Sequence, residues 1–370
     1  MNNLRFTELL GQLPATVPFV GPETQERARG SVFNARLGAN ECVFGPSPKA
    51  VMALQAVSGE IWKYADPTSF DLRTALADHH GVDIDNIVVG EGIDGLLGYL
   101  ARMLVQEGDD IITSDGAYPT FNYHVIGYGG ILHKVPYKND HEDLHGLLQA
   151  VLNTNAKLVY FANPDNPMGT VHSSEVVQDF IDQLPGNCLL ALDEAYIEFA
   201  PDGISPRIDV AQSNVLRFRT FSKAYGLAGA RVGYAIGSQD VILQFEKIRN
   251  HFGMNRAAQA GALAALKDQR WIENIRDQVN DARDQIGQIA QDNGLSIIPS
   301  AANFVAIDCG HDSTFAKSVL LYLVAHGLFV RMPFVTPQNR CIRVSVGLEE
   351  DLVLFADLLP KALSAARLGN

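Results

Sequence analysis

The sequence predicts an α/β protein, its larger domain built on a mostly parallel seven-stranded sheet flanked by helices, with a smaller α+β domain beside it. Three observations predict this. Short β-rich runs alternate with helix-spaced segments through the first two thirds of the chain. Several of the runs are continuously apolar, as strands covered on both faces must be. From about residue 266 the pattern changes to a long, charged, helix-spaced segment followed by two short strands. With 370 residues the chain exceeds one ordinary core, which suits two domains.

Taken in order, residues 1–44 read as an N-terminal arm that joins the smaller domain. The opening "MNNLRFTELLGQLPATVPF" has no basic start followed by a long apolar run, so no signal peptide is expected. No stretch approaches a membrane span, and a cytoplasmic location is expected. Residues 45–265 read as the large domain. Its strand runs are "NIVVG" (86–90), "DIITS" (110–114), "ILHKV" (131–135), "KLVYF" (157–161), "CLLAL" (188–192), "NVLRF" (214–218) and "RVGYAIG" (231–237). Between them lie amphipathic segments such as "GLLGYLARMLVQEG" and "SSEVVQDFIDQL". Residues 266–370 read as the small domain. Trp271, Ile272, Ile275, Val279, Ile286 and Ile289 form the apolar stripe of its long helix, and Gly294 fits a stop after Asn293. "NFVAI" and "CIRVSV" read as strands. "EEDLVLFADLLPKAL" reads as a last helix with its acids at the favourable N-terminal end.

Hydrophobic content of 47% with 19% charged residues fits a chain with a large core rather than a disordered one. A net charge of −13 argues against general nucleic-acid binding, although local arginines can still hold a small anion. The four cysteines, Cys42, Cys188, Cys309 and Cys341, form no C-x-x-C pair and show no zinc spacing, so no metal is expected.

Four motifs carry chemistry. In "VVGEGIDGLL", Gly90, Gly92 and Gly95 spell G-x-G-x-x-G between a strand and a helix. That pattern admits a dinucleotide site, with Asp109, Asp110 and Asp115 about 20 residues on. More broadly, a glycine turn feeding a helix offers free N–H groups to any phosphate. "YFANPDNPMGT" sets Asn163 and Asn166 on a proline-stiffened loop at the carboxyl end of a strand, where open α/β sheets bind ligands. "LLALDEAYIEF" ends a buried strand on Asp193, a costly place for a carboxylate without a partner, with Tyr196 three residues later. "TFSKAYGLAGARVGY" holds Lys223 behind Thr220 and Ser222 and ahead of Arg231, in an otherwise small, apolar and bendable stretch. Together these residues suit a ring bearing a phosphate, an aldehyde and a basic nitrogen. The helix start after Gly92, Ser222 and Arg231 would hold the phosphate. Asp193 would keep the ring nitrogen protonated, Tyr196 and Asn166 would address the ring hydroxyl, and Lys223 would bond the aldehyde. Pyridoxal 5'-phosphate is the cofactor that needs all of these.

The chain resembles the fold-type I pyridoxal-phosphate aminotransferases, and within them the histidinol-phosphate aminotransferase branch, over nearly its whole length. The marks are "NECVFGPSP" (40–48), "YADP" (64–67), "GEGIDG" (90–95), "AYPTF" (117–121), "NPDNPMGT" (163–170), "DEAY" (193–196), "SKAYGLAGARVGY" (222–234), "ANFV" (302–305), "LFVR" (328–331) and "CIRVSVG" (341–347). The resemblance implies that Lys223, Asp193 and Tyr196 are catalytic, with Thr220 in the cofactor set. Tyr118 would stack on the pyridine ring, and Ile93 and Asp94 would turn backbone N–H groups to the phosphate. Tyr64 would reach that phosphate from a second subunit, which implies a homodimer with shared sites. Arg343 would bind the substrate's anionic end with support from Arg331, and Phe19 and Asn40 would complete the substrate set. The implied reaction passes an amino group from a small-molecule donor to a 2-oxo acid, with 2-oxoglutarate expected as acceptor.

The chain departs from the branch pattern at two places. "PFVGP" (18–22) puts Phe19 where the branch carries a tyrosine, and "NECVFG" replaces "NENPYG". A lost hydroxyl contact to a charged group costs about 1.5–3 kcal/mol. Histidinol phosphate, an aromatic amino acid or another amino acid therefore stand as candidate donors. A threonine-phosphate decarboxylase-like reaction on the same cofactor is a further alternative, and a nicotinamide dehydrogenase using Gly90–Gly95 is another.

Overall fold

The computed structural model describes residues 4–15 and 20–368. All seven predicted runs become strands of one sheet, with no end shifted by more than two residues. In chain order the strands are β1 (Ala35–Arg36), β2 (Ile87–Gly90), β3 (Asp110–Ser114), β4 (Ile131–Val135), β5 (Leu158–Ala162), β6 (Leu189–Asp193), β7 (Val215–Thr220), β8 (Gly233–Ile236), β9 (Ser296–Ile298), β10 (Phe304–Asp308), β11 (Leu328–Phe329) and β12 (Cys341–Ser345). The large sheet runs β2-β8-β7-β6-β5-β3-β4. β8 is antiparallel to both its neighbours, and every other pairing is parallel. β5 is buried at every position, whereas β4, at the sheet edge, is half exposed. The apolar runs thus mark strands covered on both faces, and helices supply the cover. Helix Gly92–Leu104 turns Ile93, Leu96, Leu97, Leu100 and Ala101 inward at helical spacing.

This topology decides where chemistry can gather. β2, β3, β5, β6 and β7 all end on one edge of the sheet, at Gly90, Ser114, Ala162, Asp193 and Thr220. The reversed β8 begins on that edge, since Gly233 lies opposite both Gly90 and Thr220. Loops from five strand ends and one strand start therefore meet in a single crevice.

A three-stranded antiparallel sheet, β12-β10-β9, is packed by helices Gln269–Asp292 and Ser313–Ala325, and helix Glu349–Leu368 packs on those two helices. The stripe of the long helix is buried at Ile272, Ile275, Val279 and Ile286, and Gly294 follows the helix end at φ 72°. The last helix runs through Pro360 to Leu368, past the expected end. β1 and β11 pair in parallel, Ala35 with Leu328, and so tie the N-terminal segment to residues far along the chain. β1, β9 and β11 were not expected from the sequence. All four cysteines are buried and unbonded. Among the described residues no helix is long and apolar enough to cross a membrane.

Candidate active site

The crevice holds a cavity of about 520 Å³. Of the residues singled out in the sequence, Asn40, Ile93, Asp94, Tyr118, Asn166, Asp193, Tyr196, Thr220, Ser222, Lys223, Arg231, Arg331 and Arg343 line it. Gly92 sits just behind the wall. Tyr64 does not line the cavity of its own chain. The residue is 79% exposed and its ring packs on Phe252, with centroids 4.9 Å apart. Phe19 lies outside the described residues.

One end of the cavity is a cradle for an anion. Helix Gly92–Leu104 begins there without a side-chain cap, leaving its first N–H groups, those of Ile93 and Asp94 among them, to a ligand. Arg231 takes a left-handed backbone, φ 58°, and its guanidinium donates to the Ser222 hydroxyl at 3.3 Å and to Ala228 O at 3.0 Å. The Thr220 hydroxyl donates to Val232 O at 3.2 Å and accepts from Ser222 N at 3.0 Å, which fixes the Ser222 backbone. Gly92, at φ 79°, explains the glycine of the motif. A Cβ there would lie 2.4 Å from Arg231 Nη2, so only glycine lets the guanidinium reach the helix start. Gly92→Ala is therefore expected to weaken cofactor binding at least about tenfold, through displacement of Arg231 and left-handed strain. Titration of cofactor-free protein followed by absorbance checks this; unchanged affinity would mean the cradle lies elsewhere.

At the sheet edge, Asp193 Oδ2 accepts from Tyr160 Oη at 2.6 Å and Oδ1 from Ala195 N at 2.9 Å. Burial pushes this carboxyl up to about 6, against the lowering exerted by those two donors and by Lys223. A buried carboxylate held by two neutral donors, beside a cavity, suits a cationic ligand atom such as a protonated ring nitrogen. Behind it, Glu194 is locked by Arg217 at 3.0 Å and Arg219 at 2.9 Å, which immobilises the neighbouring strand β7.

Lys223 Nζ donates to Asn40 O at 3.1 Å and stands 5.4 Å from the centre of the Tyr196 ring. Tyr196 Oη accepts from Asn40 Nδ2 at 3.0 Å and from Asn166 Nδ2 at 3.3 Å. The Tyr118 hydroxyl donates to Asp94 at 3.1 Å, which fixes its ring in the cavity wall. Opposite, Arg343 donates to Asn166 Oδ1 at 2.5 Å, while its Nε is buried without a hydrogen-bond partner. Arg331 and Arg343 exchange backbone hydrogen bonds at 3.2 and 2.6 Å, so the two guanidiniums enter as a pair. Burial, with the neighbouring Arg343 charge, pushes Arg331 down to about 10. Two partly desolvated guanidiniums and an unsatisfied N–H make this the natural seat for a substrate anion.

The cavity thus combines an anion cradle, a buried carboxylate, an amine and a second anion seat. That set fits a phosphorylated pyridine aldehyde together with an anionic substrate. Sequence reasoning missed Tyr160, which reads as a core aromatic within β5, and Ser345 and Asn303, which contact Asn40. No local signal marks them, because their partners lie 33, 305 and 263 residues away.

The model of the family "Aminotransferase class I and II" matches residues 35–356. A histidinol-phosphate aminotransferase of Moorella thermoacetica is 33% identical over 94% of this chain and 90% of its own length. One from Nitrosococcus oceani is 36% identical over 93% of each chain. The crystal structure of a histidinol-phosphate aminotransferase from Sinorhizobium meliloti in complex with pyridoxal-5'-phosphate is 50% identical, with a TM-score of 0.95 over 97% of this chain and 98% of that one.

Proposed function

This chain belongs to the class I and II aminotransferases, and on that premise we propose that it binds pyridoxal 5'-phosphate at Lys223 and moves an amino group from histidinol phosphate, or a related amino acid, to a 2-oxo acid, with 2-oxoglutarate the expected acceptor. The observation that carries the reading is the meeting of Lys223, Asp193 and Arg231 around one cavity, each delivered by a different strand.

The contacts within the cavity support the following division of labour. Ile93, Asp94, Ser222 and Arg231 would hold the cofactor phosphate. Tyr118 would pack against the ring, and Asp193 would pair with the ring nitrogen. Tyr196, with Asn166, would address the ring oxygen. When bound, the cofactor acts as an electron sink for the electron pair left on the donor's α-carbon. Lys223 would carry the donor's α-proton, and its hydrogen bond to Asn40 O keeps its amine at the cavity wall. Arg343 and Arg331 seat the donor phosphate or the carboxylate of the 2-oxo acid in turn.

Tyr64 fits a role in a second copy of the chain. Ile61, Trp62, Tyr64, Phe70 and Phe252 are large apolar side chains left exposed, Trp62 by 78%. A surface of this kind is the mark of an interface, and a homodimer in which Tyr64 completes the partner's site accounts for it. A cytoplasmic location belongs to the same reading.

A donor screen with 2-oxoglutarate tests the function. Histidinol phosphate is expected to exceed phenylalanine and threonine phosphate in kcat/KM, with a keto product and glutamate formed in equal amounts. Carbon dioxide release from threonine phosphate, without glutamate, would instead establish a decarboxylase.

A further inference from the structure

Tyr196 is held in an unusual way for a residue that must donate a proton. A phenol oxygen accepts two hydrogen bonds and donates one. Here both acceptor positions are filled, by Asn40 Nδ2 at 3.0 Å and Asn166 Nδ2 at 3.3 Å. The phenolic proton is thus left for the cavity that Tyr196 lines. This holds only while Asn40 presents its amino group. Turned over, the same amide would present its oxygen, and Tyr196 would donate its proton to Asn40 instead.

What holds the amide is Ser345, the last residue of β12. Its hydroxyl donates to Asn40 Oδ1 at 2.8 Å and accepts from Asn40 N at 3.1 Å, closing a two-bond clamp. Both residues are buried, and Asn40 has a left-handed backbone, φ 56°. Ser345 N donates to Leu37 O at 2.8 Å, which anchors the clamp on both chain segments. Ser345 lies two residues beyond Arg343 on the same strand.

We propose that Ser345 is a positioning residue of the reaction: by holding Asn40 Oδ1 it orients the amide so that Tyr196 keeps its proton for the cofactor's ring oxygen. The inference rests on the reading of Tyr196 and Lys223 given above. The strand that seats the substrate anion through Arg343 thereby also sets the polarity of the cofactor's surroundings.

The test uses holoenzyme and the pH midpoint of its visible absorbance. A proton donated to the ring oxygen stabilises the anionic form of that oxygen, so losing it raises the midpoint. Ser345→Ala is expected to raise the midpoint by about half a unit to one unit and to lower kcat about three- to tenfold with KM little changed. Tyr196→Phe should shift the midpoint in the same direction, and adding Ser345→Ala to it should shift it no further. Ser345→Thr, which keeps the hydroxyl, should restore the wild-type midpoint. An unmoved midpoint in Ser345→Ala, or an equal shift on the Tyr196→Phe background, would overturn the proposal. If Ser345→Ala does not fold, Asn40→Asp, which offers Tyr196 only acceptors, must raise the midpoint, and a wild-type value there is equally fatal. Borohydride trapping on wild type separates the two levels. An adduct on Lys223 with an unmoved Ser345→Ala midpoint refutes this inference alone, whereas no adduct on Lys223 refutes the underlying reading with it.

Discussion

Lys223→Ala is expected to lose the visible absorbance of bound cofactor and nearly all turnover together. The lysine serves twice in the proposed reaction, as the covalent attachment and as the carrier of the α-proton. A positioned proton carrier alone contributes up to about 10⁴-fold, so the expected loss of kcat is at least of that order. The fold should not suffer. The amine donates to Asn40 O, and that oxygen keeps Asn303 Nδ2 as a second donor at 3.1 Å, so no buried acceptor is orphaned. The melting temperature of cofactor-free Lys223→Ala should therefore match that of cofactor-free wild type. Turnover, an absorbance scan and a melting curve on the same preparation check all three statements. Normal turnover, or a borohydride adduct mapped to another lysine, would remove Lys223 from the site.

The large sheet was legible because its strands carry their own signature. β5 and β6 are covered on both faces, so nearly every residue must be apolar, and a run such as "LVYFA" has no competing reading of the right length. β1 and β11 have two residues each and owe their pairing to a contact across some 290 positions, which no local pattern can announce. β9 is three residues long and partly exposed, so neither length nor burial marks it.

The site divides along the same line. Lys223, Asp193 and Arg231 stand out because each is out of keeping with its surroundings: a cation among small residues, an acid ending a buried strand, a second cation opening one. Tyr160 fits its surroundings, and its hydroxyl contact with Asp193 appears only when β5 and β6 are set side by side with Ala162 opposite Asp193. The left-handed backbone of Arg231 is also hidden in the sequence, since glycine marks such a turn and arginine does not. Its partner glycine, Gly92, was visible for the complementary reason.

Asp193→Asn should trade activity for stability, in a way that depends on pH. Without a carboxylate against the ring nitrogen the electron sink weakens, and removing one preorganised electrostatic partner of this kind costs about 10²–10³ in kcat. The fold, by contrast, is relieved of a charge. Burial holds the Asp193 carboxyl at about 6 in the folded chain, above its ordinary 3.8, so the folded state binds this proton more tightly than the unfolded one. Below about pH 4 the group is protonated in both states and carries no penalty. The penalty grows as pH rises through that interval and is complete above about pH 6, where it amounts to the order of 3 kcal/mol. An asparagine keeps the local contacts, since its oxygen can accept from Ala195 N and its amino group can donate to the Tyr160 oxygen. Cofactor-free Asp193→Asn is thus expected to match wild type near pH 4 and to exceed it by up to that amount at pH 8. Adding cofactor should narrow the difference, because a ring cation offsets the buried charge only in wild type. Urea unfolding at the two pH values, with and without cofactor, reads all of this. An unchanged kcat would deny Asp193 its role at the ring nitrogen, and equal stabilities at pH 8 would mean the carboxylate is already balanced in the empty site.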